Sequence, residues 1–63
     1  MKLTELSASD LGALCWGLES IRDRFLERDN RQAIGAAMWC DSVLADIGTE
    51  AARRDEEARN AEG

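Results

Sequence analysis

In the first half of the chain, large apolar residues recur at alternating spacings of three and four residues. This period matches one face of an α-helix, which has about 3.6 residues per turn. Just before the stripe, Ser7 and Asp10 have the spacing of a capping box, which is typical of a helix start. The pattern predicts a first helix over residues 8–28. Its apolar stripe consists of Leu11, Leu14, Leu18, Ile21 and Phe25.

A run of polar residues at positions 27–32 interrupts this pattern, and the apolar stripe that follows it is out of phase with the first. A turn at residues 29–30 explains both features. Asp29 or Asn30 can cap a second helix, which we expect over residues 31–56, with a frayed charged tail at 57–63. One continuous helix with a stutter is the alternative, since neither Gly nor Pro lies in the run. A break at Gly48, followed by a short third segment, is a further alternative.

The second segment is apolar around most of its circumference, whereas the first has a single apolar stripe. A helix covered on one side only does not need that breadth. We therefore predict an all-α fold: one domain over residues 1–63, an antiparallel helical hairpin that pairs with a second copy into a four-helix bundle. The predicted core and dimer seam consist of Leu11, Leu14, Leu18, Ile21, Phe25, Ile34, Met38, Trp39, Cys40, Val43, Leu44 and Ile47.

Length and composition support a partner chain and argue against an enzyme. The chain has 63 residues, 13 Asp and Glu against 8 Lys and Arg, no His and two Cys. A chain this short builds only a marginal core by itself. Without His it lacks the commonest general base and a frequent metal ligand, so we expect no catalytic site, no metal and no cofactor. In the predicted hairpin Cys15 and Cys40 are out of axial register, so we expect free thiols.

Targeting and membrane signals are not apparent. Glu5 and Asp10 fall where a signal peptide would be apolar, and no apolar run approaches the length of a membrane span. These features favour a cytoplasmic protein. The net charge of -5 also argues against indiscriminate binding to nucleic acid or to an anionic membrane.

The candidate recognition site lies on the first helix. Trp16 lies about 160° around that helix from the apolar stripe, at about 100° per residue. Glu19, Asp23 and Glu27 form a row beside it. A Trp directed away from its own core, next to an acidic row, is typical of a surface that recognises a basic partner. The hypothesis is a small acidic non-enzymatic regulatory protein, of a size compatible with a phage or mobile-element gene. The alternative is a solubilising acidic face.

Two other functions compete with this one. Arginines concentrate near the predicted turn, and the predicted architecture is similar to that of plasmid copy-number regulators that bind RNA, which is an analogy of fold alone. A dimeric RNA-binding hairpin is therefore the alternative function, and it would use Arg22, Arg24, Arg28 and Arg31. A purely structural role, with the second helix docked on a different subunit, is the third possibility.

Overall fold

The chain folds as an antiparallel helical hairpin. The structure is a computed structural model that describes residues 2–62; Met1 and Gly63, the ends of the predicted domain, lie outside it. A short 3₁₀ helix, Leu3–Glu5, precedes two α-helices, α1 (Ala8–Arg28) and α2 (Arg31–Glu62), which contact each other. No strand occurs within these residues. The predicted all-α hairpin is confirmed.

The start of α1 is fixed by the residue that the sequence indicated. Ser7 has extended backbone angles and is the N-cap, and its Oγ accepts a hydrogen bond from the amide of Asp10 at 3.1 Å. This bond satisfies one of the amides that the first turn of a helix leaves without a partner. The helix therefore begins at Ala8, and its apolar stripe faces α2 from the first turn onward.

Two adjacent residues make the turn without Gly or Pro. Asp29 ends α1 in the left-handed region, with φ 51°. Asn30 then caps α2, because its Oδ1 accepts a hydrogen bond from the amide of Ala33 at 2.8 Å. Asn and Asp adopt the left-handed conformation more readily than other residues with a side chain. The alternative of one continuous helix is therefore wrong.

Helix α2 is longer than expected. It continues through Gly48 without a break, and it ends at Glu62 rather than near residue 56. Ion pairs one turn apart line this charged segment: Arg53 with Glu57 at 2.8 Å, and Arg59 with Asp55 at 2.6 Å. Each such pair adds about 0.2–0.5 kcal/mol to a helix, which favours its continuation beyond the last large apolar residue. The short third segment is not formed.

The core is a narrow seam between the two helices. Among the predicted core residues, Leu14, Phe25, Val43 and Leu44 are half-buried. Four others, Ile21, Ile34, Met38 and Trp39, are exposed in the single chain. Two helices cover only their facing stripes, so the broad apolar surface of α2 stays uncovered. The fully buried apolar residues are Leu11, Leu18, Ala33, Ala37, Cys40 and Ile47.

The N-terminal segment closes one end of this seam. Leu3 and Leu6 pack against the core cluster from the side of α2. Within residues 2–62, no helix is both long and apolar enough to cross a membrane.

Candidate functional site

An open apolar groove runs between the helices at the end of the hairpin opposite the turn. Its volume is about 690 Å³. The α1 wall extends from Ala8 to Glu19, which corresponds to about 16 Å, or three helical turns. The groove is lined by Ala8, Leu11, Gly12, Cys15, Glu19, Leu44, Ile47, Gly48, Ala51, Arg54 and Asp55.

Small side chains make the groove deep. A Cβ added to Gly12 or Gly48 would meet none of the described atoms within 4 Å, apart from those of the helix itself and of chain neighbours. Neither glycine has a positive φ, so the backbone does not require glycine at these positions. Both positions leave space where a larger side chain would stand. The groove therefore offers an apolar floor, formed in part by Leu11 and Ile47, to whatever enters it.

Trp16 borders this groove on α1. It is 73% exposed. Gly12 lies four residues before it and Glu19 three residues after it, so both are its neighbours on the helix surface. Both also line the groove. Trp16 is not itself a lining residue, but the predicted recognition residue and the first residue of the acidic row lie next to each other at the edge of this groove.

Glu19 is linked to the thiol of Cys15 inside the groove. The Sγ of Cys15 donates to Oε1 of Glu19 at 3.7 Å. Burial raises the pKa of the Cys15 thiol above its usual value, and the charge and hydrogen bond of Glu19 raise it further. Cys15 is therefore a neutral, apolar wall residue near neutral pH, and it holds the Glu19 carboxylate at the groove.

The rest of the acidic row continues along α1 towards the turn. Asp23 and Glu27 are both exposed, as Trp16 and Glu19 are. Arg22 contacts Asp23 at 3.4 Å, but its shorter contact is with Asp41 of α2 at 3.0 Å. The hydrogen bond that Arg22 donates to the Asp41 carboxylate is the main reason that the pKa of Arg22 is raised. Arg22 therefore forms an ion pair between α1 and α2, next to the acidic row of Glu19, Asp23 and Glu27.

The four arginines proposed for RNA do not form one patch. Arg22 and Arg24 are two residues apart and therefore point about 160° away from each other around α1. Arg28 shares the side of Arg24, and its guanidinium carbon lies 5.8 Å from the ring centre of Phe25. Arg31 is exposed at the start of α2. The arrangement lacks the single basic surface that is typical of nucleic-acid binding.

The structure contains one polar cluster that the sequence did not reveal. Glu50 pairs with Arg53 at 2.8 Å and with Arg54 at 2.6 Å. The spacing of Glu50 and Arg54 is that of an exposed helical pair, but the Glu50 side chain is only 7% exposed. Hydrogen bonds from Arg53 and Arg54 lower the pKa of Glu50 from 4.5 to about 2.

Arg54 also ties the N-terminal segment to α2. It donates to the carbonyl oxygens of Leu3 at 3.1 Å and Leu6 at 2.5 Å. This contact joins residues that are distant in sequence, so no short-range spacing in the sequence predicts it. The cluster is a structural clamp at the groove end of the hairpin.

Two further features concern the cysteines and the clusters that could hold a metal ion. Cys15 and Cys40 are free thiols, and Cys40 is buried. Within the described part of the chain, no group of three or more His, Cys, Asp or Glu side chains is placed to hold a metal ion. Comparison of the chain with protein-family models, with curated proteins and with solved structures finds no match.

Proposed function

We propose that this chain is a non-enzymatic interaction module that binds an amphipathic helix of a protein partner in the groove beside Trp16. The observation that carries the proposal is the coincidence of three features at one place: an open apolar groove, a Trp that is 73% exposed, and the Glu19 carboxylate. Exposed Trp residues are prominent among the residues that dominate binding energy.

The shape and charge of the groove favour one class of partner. A trough of about three helical turns between two helices suits a third helix laid along the seam. Glu19 and Asp55 favour Lys or Arg beside the apolar stripe of that helix. Asp55 pairs with Arg59 on the surface, and an exposed pair of this kind contributes little stability, so a cationic partner can replace it. Arg54 lines the groove too, but Glu50 matches its charge.

The module modulates its partner by occupancy in this proposal: a basic helix seated in the groove is withheld from its other ligands. A cytoplasmic setting is part of the proposal, and the free thiols of Cys15 and Cys40 support it, since thiols persist in a reducing compartment.

A designed peptide pair tests the groove directly. A labelled amphipathic Leu/Lys helix and a Leu/Glu helix with the same apolar pattern are titrated with the full chain, and binding is followed by fluorescence anisotropy. We expect saturable binding of the Leu/Lys peptide only. Gly48→Leu should abolish binding because its side chain fills the groove, and Trp16→Ala should weaken it at least about tenfold.

Matched substitutions outside the groove serve as controls. Ala58→Leu places the same side chain on α2 beyond the groove, and Glu56→Lys makes the same charge change as Glu19→Lys at an exposed α2 position. Both controls should bind like the wild type, while Glu19→Lys should bind more weakly. Equal affinity for the two peptides, or unchanged binding by Gly48→Leu, would show that the groove is not the site.

A further inference from the structure

Two of the six large apolar residues that are exposed in the described chain, Ile21 and Trp39, lie on the face of the hairpin opposite the groove. Cys15 and Leu44 line the groove and define one face. At about 100° per residue, Ile21 lies across the buried Leu18 from Cys15, and Trp39 lies across the buried Cys40 from Leu44. Ile21 and Trp39 therefore share the opposite face, where they are 46% and 64% exposed. This Trp39 face includes Gly17, Ile21, Arg24, Arg28, Gly35, Trp39 and Asp46.

The N-terminal segment already covers part of this face. Leu3 and Thr4 lie beside Asp46, Glu50 and Arg53. The uncovered length runs from the turn to about Asp46. Ile21 and Trp39 lie near its middle, so the apolar surface is central and charged residues flank it. A fully desolvated centre with a charged rim is the usual anatomy of a protein interface.

The two glycines of this face are not explained by contacts within the chain. A Cβ at Gly17 or Gly35 would meet none of the described atoms within 4 Å, the helix's own backbone and chain neighbours aside. Neither has a positive φ. Glycine inside a helix is destabilising relative to alanine. Close approach of another backbone is a physical reason to keep glycine at both positions.

We propose that the Trp39 face binds a second copy of this chain about a two-fold axis, with the two turns at opposite ends of a four-helix bundle. This proposal concerns the face opposite the groove and does not depend on the proposed function. In this arrangement α1 of each copy packs antiparallel against α1 of the other, α2 packs likewise against α2, and α1 runs parallel to the diagonally placed α2 of the other copy. Because these two helices run in the same direction, a residue of α1 and the residue of the other copy's α2 at the same height always differ by the same number of positions.

One offset brings complementary residues of the two copies to the same level. Ile21 and Trp39 are 18 residues apart in the sequence, and Gly17 and Gly35 have the same separation. With this offset Ile21 lies at the level of Trp39 of the second copy, and Gly17 lies at the level of Gly35 of the second copy. Large apolar side chains then fill the centre, and the helices approach closely beside them.

Charge complementarity selects the same arrangement. Arg28 and Asp46 are again 18 residues apart, so each Arg28 lies at the level of Asp46 of the second copy. More broadly, residues 22–31 at the turn carry four Arg against three acids, whereas residues 2–12 and 45–61 at the open end carry seven acids against four bases. Stacking turn against open end places opposite net charges together. Stacking turn against turn would place like charges together.

The test is sedimentation equilibrium of the full chain and of two tryptophan variants. The wild type should sediment at twice the chain mass. Trp39→Ala should raise the dimer Kd by about 30-fold or more, as expected for a central hot spot. Trp16→Ala, the same change at a Trp that is 73% exposed on the groove face, should change Kd by less than about threefold.

A charge exchange tests the orientation of the two copies. Arg28→Glu and Asp46→Arg should each weaken the dimer at low salt, and the double variant should restore it, because the opposite charges at this level of the bundle are exchanged rather than lost. A chain that stays monomeric up to about 1 mM would overturn the proposal. So would a dimer lost by Trp16→Ala but kept by Trp39→Ala, and so would a double variant no stronger than the singles.

Discussion

At the residue scale, Glu50 shows how a charged side chain is kept in a small core. It is buried with two arginines that hold its carboxylate by hydrogen bonds of 2.6–2.9 Å. A buried charge without partners would be strongly destabilising. With Arg53 and Arg54 in place, the carboxylate keeps its charge far below the pH at which a free Glu takes up a proton.

This cluster predicts an acid-sensitive stability. The pKa of Glu50 is about 2 in the folded chain against an ordinary value of 4.5, so the unfolded chain takes up the proton first as the pH falls. The stabilisation from Glu50 is then complete above pH 4.5, declines below it and is lost by about pH 2. Urea unfolding across this range should show a steeper loss of stability for the wild type than for Glu50→Gln. Glu56→Gln is the control and should keep the wild-type slope; identical slopes for all three would contradict the prediction.

The sequence revealed some of these residues and concealed others. Trp16 and Glu19 could be singled out because a helical wheel places them away from the apolar stripe. Glu50 could not, since it has the spacing of an ordinary surface pair, and its partner Arg54 binds the carbonyls of Leu3 and Leu6, which are more than forty residues away. Contacts between distant segments leave no periodic signal in a single sequence.

At the element scale, the break between the helices depends on two side chains. The sequence indicated the turn from its polar run and offered Asp29 or Asn30 as the cap. The structure uses both, Asp29 to end α1 and Asn30 to begin α2. The end of α2 was underestimated because apolar periodicity stops after Ala51, whereas ion pairs and the absence of a helix breaker carry the helix further.

The cap of α2 can be tested by removing one hydrogen bond. Asn30→Ala eliminates the acceptor for the Ala33 amide, and such a loss costs about 0.5–2 kcal/mol. Asn60→Ala makes the same change near the other end of α2, where no capping bond depends on it, and should stay within about 0.5 kcal/mol of the wild type. Both free energies of unfolding are measured in urea. Equal losses would mean that the turn does not depend on Asn30.

At the scale of the whole molecule, the groove arises from features that no single helix contains. Small residues of α1 and of α2 come opposite each other only after the turn sets the register, so the sequence pattern did not reveal the depression that they form. The opposite face holds the second exposed Trp. The broad apolar surface of α2 is thus divided by the pairing with α1 into two separate surfaces, one beside Trp16 and one around Trp39.

The N-terminal segment is attached to α2 through Arg54. The contribution of this attachment to the free energy of unfolding can be measured separately. Arg54→Ala removes the donors to the carbonyls of Leu3 and Leu6 and breaks the pair with Glu50, for which we expect a loss of about 1–3 kcal/mol in urea unfolding. Arg59→Ala, at an exposed ion pair, should cost less than about 1 kcal/mol.

Deleting residues 1–6 leaves Ser7 to cap α1 but removes the carbonyls that Arg54 binds. In the shortened chain, Arg54→Ala should therefore cost clearly less than in the full chain, because the two changes remove one shared interaction. Strictly additive losses would mean that Arg54 stabilises α2 by itself and does not hold the segment in place.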